Sequence, residues 1–209
     1  MPGLFKKIEM TMHKTPVYLT LIFCLLSSWA EATTVEEEII HVAAKVSRLE
    51  LGFDDYILGS KLSDAQKAIV PENIVKDSLE GTYKFKKKEI FVVAAEDTDI
   101  ILGVYKQFSD VTMAEIKTII SSLMLELGEP TASAHDKMIY WTYNDSGKID
   151  QDSFEFGKEN GGLPSLATVK FSSSERLGSE ASREGGPISA YLMITSDPLS
   201  RLFLAKTRQ

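Results

Sequence analysis

The sequence predicts an α+β fold in which an antiparallel sheet carries helices packed on one face. Three observations predict it. Two segments, 34–49 and 112–127, place apolar residues at helical spacing behind reciprocal N-terminal caps. From Gly81 the pattern changes to alternation, with Tyr83 and Phe85 interleaved with Lys84, Lys86 and Lys88. Further short β-rich runs, separated by polar turn clusters, then recur to residue 194.

In order along the chain, Thr34 and Glu37 have the capping-box spacing, and Ile39, Ile40, Ala43, Val46 and Leu49 form one stripe that Gly52 is expected to stop. Ser63 and Gln66 repeat the box for a shorter helix through Ala68 and Ile69. Pro71 interrupts that helix or opens a further turn through Ile74, Val75 and Leu79. The segments on either side of the turn cluster Glu96-Asp97-Thr98-Asp99 read as a hairpin over 83–105. Thr112 and Glu115 cap the clearest helix, with Val111 and Ile116 spaced as a hydrophobic staple. Ile119, Ile120, Leu123 and Leu127 continue its stripe, Gly128 stands at the position of a left-handed cap, and Pro130 blocks continuation. Strands are expected at 138–143, 153–156, 167–171 and 188–194, and a last short helix at 199–206. The segment 172–186, rich in Ser, Glu, Arg and Gly, reads as a long loop. Leu62-Ser63-Asp64-Ala65-Gln66 and Val111-Thr112-Met113-Ala114-Glu115 share an apolar, hydroxyl, x, Ala, Glu/Gln order. Two related helix-plus-sheet halves, 33–108 and 109–209, are therefore an alternative to a single domain over 33–209.

Residues 1–32 read as a signal peptide. Lys6, Lys7 and Lys14 precede an apolar run from Pro16 to Trp29, which ends in the small-x-small triplet Ala30-Glu31-Ala32. That run is shorter than the roughly 20 residues a spanning helix needs. Cleavage near Ala32 implies a periplasmic or secreted protein with no stable membrane span. It would also remove Cys24, the chain's single cysteine, and Trp29, one of its two tryptophans. Export without disulfides fits a bacterial envelope better than an extracellular eukaryotic module. The chain has 23 basic and 30 acidic residues, a net charge of −7, which disfavours nucleic acid as a partner.

The chemistry-bearing patterns are sparse. Asn144-Asp145-Ser146-Gly147-Lys148-Ile149-Asp150 matches the middle of a calcium loop, but Thr142 and Ser153 stand where the end carboxylates are needed. It reads as a polar turn joining strands 138–143 and 149–156, and Asn144-Asp145-Ser146 is formally a glycosylation triplet. His41 and His135 are too far apart in sequence to imply a metal site by spacing. The segment after the leader has no cysteine, no Gly-x-Ser-x-Gly and no Ser-x-x-Lys. The carboxylate pairs Asp54/Asp55 and Asp97/Asp99 read as turns, with glycoside hydrolysis as the sharper alternative. No catalytic, cofactor or metal residue is assigned, and no cofactor is expected. The candidate partner-binding residues are Tyr140, in the aromatic run Tyr140-Trp141-x-Tyr143, and the lysine comb Lys84, Lys86 and Lys88. Alternation puts Trp141 and Tyr143 on one strand face and Tyr140 on the other.

The helix ending Leu127-Gly128-Glu129-Pro130, followed by a strand with Tyr140-Trp141, resembles small bacterial envelope helix-plus-sheet proteins. These include the small lipoprotein of the outer-membrane protein assembly machinery and the β-lactamase inhibitor proteins. The resemblance covers about 111–143, with a weaker echo from Leu58-Gly59 to Ile69, and Cys24 does not stand in a lipidation context. It implies a binding role without catalysis, directed at an envelope or secreted protein. The alternatives are a small envelope-acting hydrolase using carboxylates, and a carrier of an apolar ligand.

Overall fold

The computed structural model describes residues 34–162, 165–177 and 188–208; the expected leader and most of the 172–186 loop lie outside the described residues. Helix α1 (Val35–Ser47) starts on the predicted capping box, with the Glu37 backbone N–H donating to the Thr34 hydroxyl at 3.2 Å and Thr34 N–H donating to the Glu37 carboxylate at 2.9 Å. It ends at Arg48, before Gly52 is reached. Gly52 instead opens strand β1 (Gly52–Phe53), which pairs with β2 (Tyr56–Ile57). The reason is steric: a Cβ on Gly52 would collide with the Tyr56 carbonyl oxygen across that pair. Ser63 and Gln66 cap α2 (Asp64–Ala68), and Pro71 sits in the first turn of α3 (Val70–Asn73), so it opens a further turn. Ile74 and Val75 then leave helical geometry and form β3 (Ile74–Val75).

Strands β4 (Thr82–Lys87), β5 (Ile90–Ala95) and β6 (Ile101–Val111) form the predicted hairpin and extend it to a meander. Helix α4 (Met113–Leu127) has the predicted cap, and its stripe buries Ile116 and Leu123. Gly128 takes a positive φ of 75, as expected. Its ψ of −165 places it outside the left-handed helical well, so the chain leaves the helix extended. Strands β7 (Ala132–Ala134), β8 (Met138–Asn144) and β9 (Gly147–Lys148) follow, and the 144–147 turn is held by Ser146 N–H on the Asn144 side chain at 2.8 Å.

The strand expected at 153–156 is helix α5 (Gln151–Glu159). Ser153-Phe154-Glu155-Phe156 has the period of a strand. However, Asp150 accepts the Ser153 N–H at 2.8 Å and its hydroxyl at 2.9 Å, and this local cap decides the outcome. Strands β10 (Ala167–Ser173) and β11 (Ile188–Thr195) and helix α6 (Asp197–Thr207) complete the chain.

The larger sheet has the order β3-β4-β5-β6-β11-β10-β8-β7, with β9 on β8, and every pairing is antiparallel. The fold is therefore α+β. Strands β3 to β6 fill one side of the sheet and β7 to β11 the other, meeting where β6 pairs with β11. One face is the core. Register aligns Phe85, Val92, Val104, Ile194, Val169 and Trp141 across the strands, and all six are buried. Val46 of α1 and Ile116 and Leu123 of α4 pack into the same cluster, and Leu199 and Phe203 of α6 join Ile39 and Ala43 of α1 in a second. Among the described residues no helix is long and apolar enough to cross a membrane.

Helix α6 is also tied down at its end, where Lys206 Nζ lies 2.6 Å from Asp97 and 3.5 Å from Glu36. The hydrogen bond from Lys206 holds the Asp97 carboxyl below its usual range, and in return Asp97 raises the Lys206 amine. A depressed carboxylate stabilises the fold above its unfolded pKa and loses that contribution as pH falls through the folded value. The raised amine contributes below its unfolded pKa and loses that as pH rises through its folded one. Lys206→Met is therefore expected to lower the melting temperature between those limits and to flatten the acid limb below about pH 4. Both side chains meet water, so the loss is at most about 1 kcal/mol. Identical acid limbs in the two proteins would refute the assignment.

Candidate binding surface

The opposite face of the sheet follows from the same register, shifted by one residue. There Lys86, Phe91, Tyr105, Met193, Lys170 and Tyr140 stand side by side on consecutive strands β4, β5, β6, β11, β10 and β8. Lys86 is exposed and the other five are half-buried, so this row is accessible where the core row is closed. Side chains touch at both ends of it. Lys86 Nζ lies 4.8 Å from the Phe91 ring centroid. Phe91 and Tyr105 stack with centroids 4.6 Å apart and planes 2° from parallel. Lys170 Nζ lies 5.8 Å from the Tyr140 ring, and the Tyr140 hydroxyl reaches Met138 Sδ at 3.1 Å. Offset aromatic pairs and cations over rings each contribute about 0.5–1.5 kcal/mol. They bias the side chains toward this arrangement before anything binds.

Rows on either side extend the face. Lys84, Val93, Gly103, Thr195, Thr168 and Thr142 form one row, and Gln107, Tyr191, Ser172, Met138 and Ala134 form the other. Burial pushes the Tyr105 hydroxyl above its usual pKa, and the neighbouring Tyr191 adds to the shift. Like any tyrosine the phenol is neutral at physiological pH, and it presents a hydrogen-bonding edge beside an apolar ring. Toward β7 the face becomes a groove of about 910 Å³ under α5, where Tyr140, Thr168 and Phe154 meet the carboxylates Glu129, Asp150 and Glu155 and the amines Lys148 and Lys158. Helix α5 has no buried residue, and Phe156 is 70% exposed.

Of the predicted residues, Lys84, Lys86 and Tyr140 lie on this one face. Lys88 does not continue the comb: β4 ends at Lys87, and Lys88 has φ 55 in the turn to β5. Trp141 points into the core, fully buried, with its indole N–H donating to the Gly128 carbonyl at 2.8 Å, and Tyr143 packs half-buried against the same core. Phe91, Tyr105, Met193 and Lys170 were not singled out from sequence. Lys170 had a readable signal, since it is the charged residue between Val169 and Phe171 in a strand pattern. Phe91 was hidden in the continuous apolar run 90–93.

The other candidate patterns resolve into structure. Asp55 pairs with Lys87 at 3.5 Å and Asp97 with Lys206. Asp99 accepts the Tyr83 hydroxyl at 2.8 Å and pairs with Lys67 at 3.4 Å. The carboxyls of Asp97, Glu115 and Asp150 are held below their usual range, in each case chiefly by a hydrogen bond, which keeps them ionised. Lys148, in the former calcium-loop segment, donates to the Leu127 and Glu129 carbonyls at 2.9 and 2.8 Å and so caps the end of α4. His41 and His135 are exposed on α1 and in the turn before β8, and no group of metal-ligating side chains forms among the described residues. Compared with known proteins, the chain matches no family, no curated protein and no solved structure.

Proposed function

We propose that this chain is an exported protein-binding module, acting without catalysis on an envelope or secreted protein partner, and that the open face of the sheet is its binding surface. The observation that carries the reading is the row from Lys86 through Phe91, Tyr105, Met193 and Lys170 to Tyr140. Aromatic side chains and Met are enriched where proteins bind one another, and side chains already stacked, as Phe91 and Tyr105 are, lose less freedom on association. The row joins the two regions, Tyr140 and the hairpin, where an interaction patch was expected from sequence. Export rests on the leader pattern of residues 1–32, and the resemblance to small envelope proteins favours the same role.

The test is a photo-reactive benzophenone residue at position 105, with position 40 on the far face of α1 as control, in an envelope extract. Ile40 is 53% exposed, so the control site is at least as reachable as the half-buried position 105. Discrete adducts from position 105 that excess unlabelled chain suppresses, and that position 40 lacks, are the expected result. The same adducts from both positions, or none from position 105, would defeat the proposal.

A further inference from the structure

We infer that the open face takes an acidic protein segment carrying apolar side chains, laid across the strands so that its carboxylates meet Lys86 and Lys170 while its apolar groups cover Phe91, Tyr105 and Met193. This rests on the reading of that face as a binding surface and adds the chemistry of the partner. Charge is the first argument. In the registered rows of this face the charged residues are Lys84, Lys86 and Lys170, and no carboxylate stands among them; Glu129, Asp150 and Glu155 line the groove beyond Tyr140, outside the span from Lys86 to Lys170. The chain as a whole carries −7. An acidic segment is therefore repelled by the rest of the molecule and attracted here, which favours this docking position over others.

The availability of these charges is the second argument. Lys45, Lys67, Lys87 and Lys206 each pair with a carboxylate; Lys84, Lys86 and Lys170, like Lys106, Lys117 and other lysines, form no ion pair among the described residues, so their charge is available on this face. Lys86 and Lys170 instead rest over aromatic rings. A cation held by a ring keeps its full charge for an incoming carboxylate and loses less side-chain freedom when one arrives.

Spacing is the third. Four strand-to-strand steps separate Lys86 from Lys170, about 19 Å at about 4.8 Å per step. A helix covers that distance in about 13 residues and an extended chain in about six. Between the two lysines the row is apolar, so a phosphate chain crossing it would meet no cation at Tyr105 or Met193. A protein segment can match both the charged ends and the apolar middle.

Fluorescein-labelled copolymers titrated against the intact protein test this by anisotropy. A random glutamate–tyrosine copolymer is expected to bind, less tightly as salt rises. The Lys86→Glu/Lys170→Glu pair is expected to weaken it about tenfold and to remove most of the salt dependence. Lys86→Gln/Lys170→Gln serves if the reversed pair does not fold, and Met193→Arg reports on the apolar middle. Tighter binding of a lysine–tyrosine copolymer, still sensitive to Met193→Arg, would overturn the acidic partner and leave the binding surface standing. Copolymer binding that no open-face substitution changes would overturn both. Oligothymidylate or phosphatidylglycerol vesicles that bind more tightly than the acidic copolymer, through the same lysines, would overturn the assignment to a protein segment.

Discussion

Gly59→Ala is expected to destabilise the protein more than any other exchange of glycine for alanine at the described positions with positive φ. Gly59 has φ +77, a backbone conformation that a side chain strains by about 1–3 kcal/mol. It also lies against helix α1, where an added Cβ would sit 2.6 Å from the Ala43 carbonyl oxygen and 3.0 Å from both Ser47 N and Val46 Cβ. These are backbone atoms and a buried Cβ of a packed helix, so relief requires α1 itself to move. Overpacking of this kind costs about 1–3 kcal/mol more. The sum, about 2–6 kcal/mol, is a large share of the 5–15 kcal/mol that holds a typical domain together. Gly161→Ala separates the two terms, because Gly161 has φ +79 with nothing within 4 Å of an added Cβ. Urea unfolding followed by circular dichroism should give a small midpoint shift for Gly161→Ala and a several-fold larger one for Gly59→Ala. Equal shifts would mean that the approach of α1 contributes nothing.

Features decided within a few residues were legible, and those decided across the sheet were not. Thr34/Glu37, Ser63/Gln66 and Thr112/Glu115 are all capping boxes in the structure, because each needs only a side chain and a backbone amide three residues away. The same locality explains 153–156, where the alternation predicts a strand and the Asp150 cap three residues away sets a helix. Phe154 turns into the groove beside Thr142 and Thr168 while Phe156 is exposed, and no strand pairs with the segment, so nothing rewards the strand pattern. Lys88 failed for a related reason, since alternation continues only as long as the strand, and the strand turns at Lys87. The row of the open face was illegible as a row. It depends on β6 pairing with β11, which places Tyr105 beside Met193 across 88 positions of sequence, and no local pattern encodes that partnership. Tyr140 and Lys86 could be proposed singly, but the pairing that puts them on one surface comes only with the topology.

Trp141→Ala is expected to be the most damaging truncation in the core. Trp141 is fully buried, lies opposite Val169 in the core row, and is the largest of the fully buried side chains. Its removal leaves a cavity worth about 3–5 kcal/mol. The indole also does something its volume does not: its N–H donates to the Gly128 carbonyl at 2.8 Å, where α4 gives way to the extended segment toward β7. Gly128 N–H in turn donates to Met124, and Lys148 holds the adjacent carbonyls of Leu127 and Glu129. Trp141 thus fixes the end of α4 to strand β8, and through β8 to Tyr140 on the opposite face. Trp141→Phe retains much of the packing but loses the hydrogen bond, a net difference of about 1 kcal/mol for that bond. Amide exchange distinguishes the two roles. In Trp141→Phe, protection should fall selectively at the last turn of α4 and at Gly128, with the core strands β6 and β11 little changed. In Trp141→Ala it should fall throughout the sheet. Uniform loss in both variants would show that the indole acts by volume alone, and that the end of α4 is held by Lys148 without it.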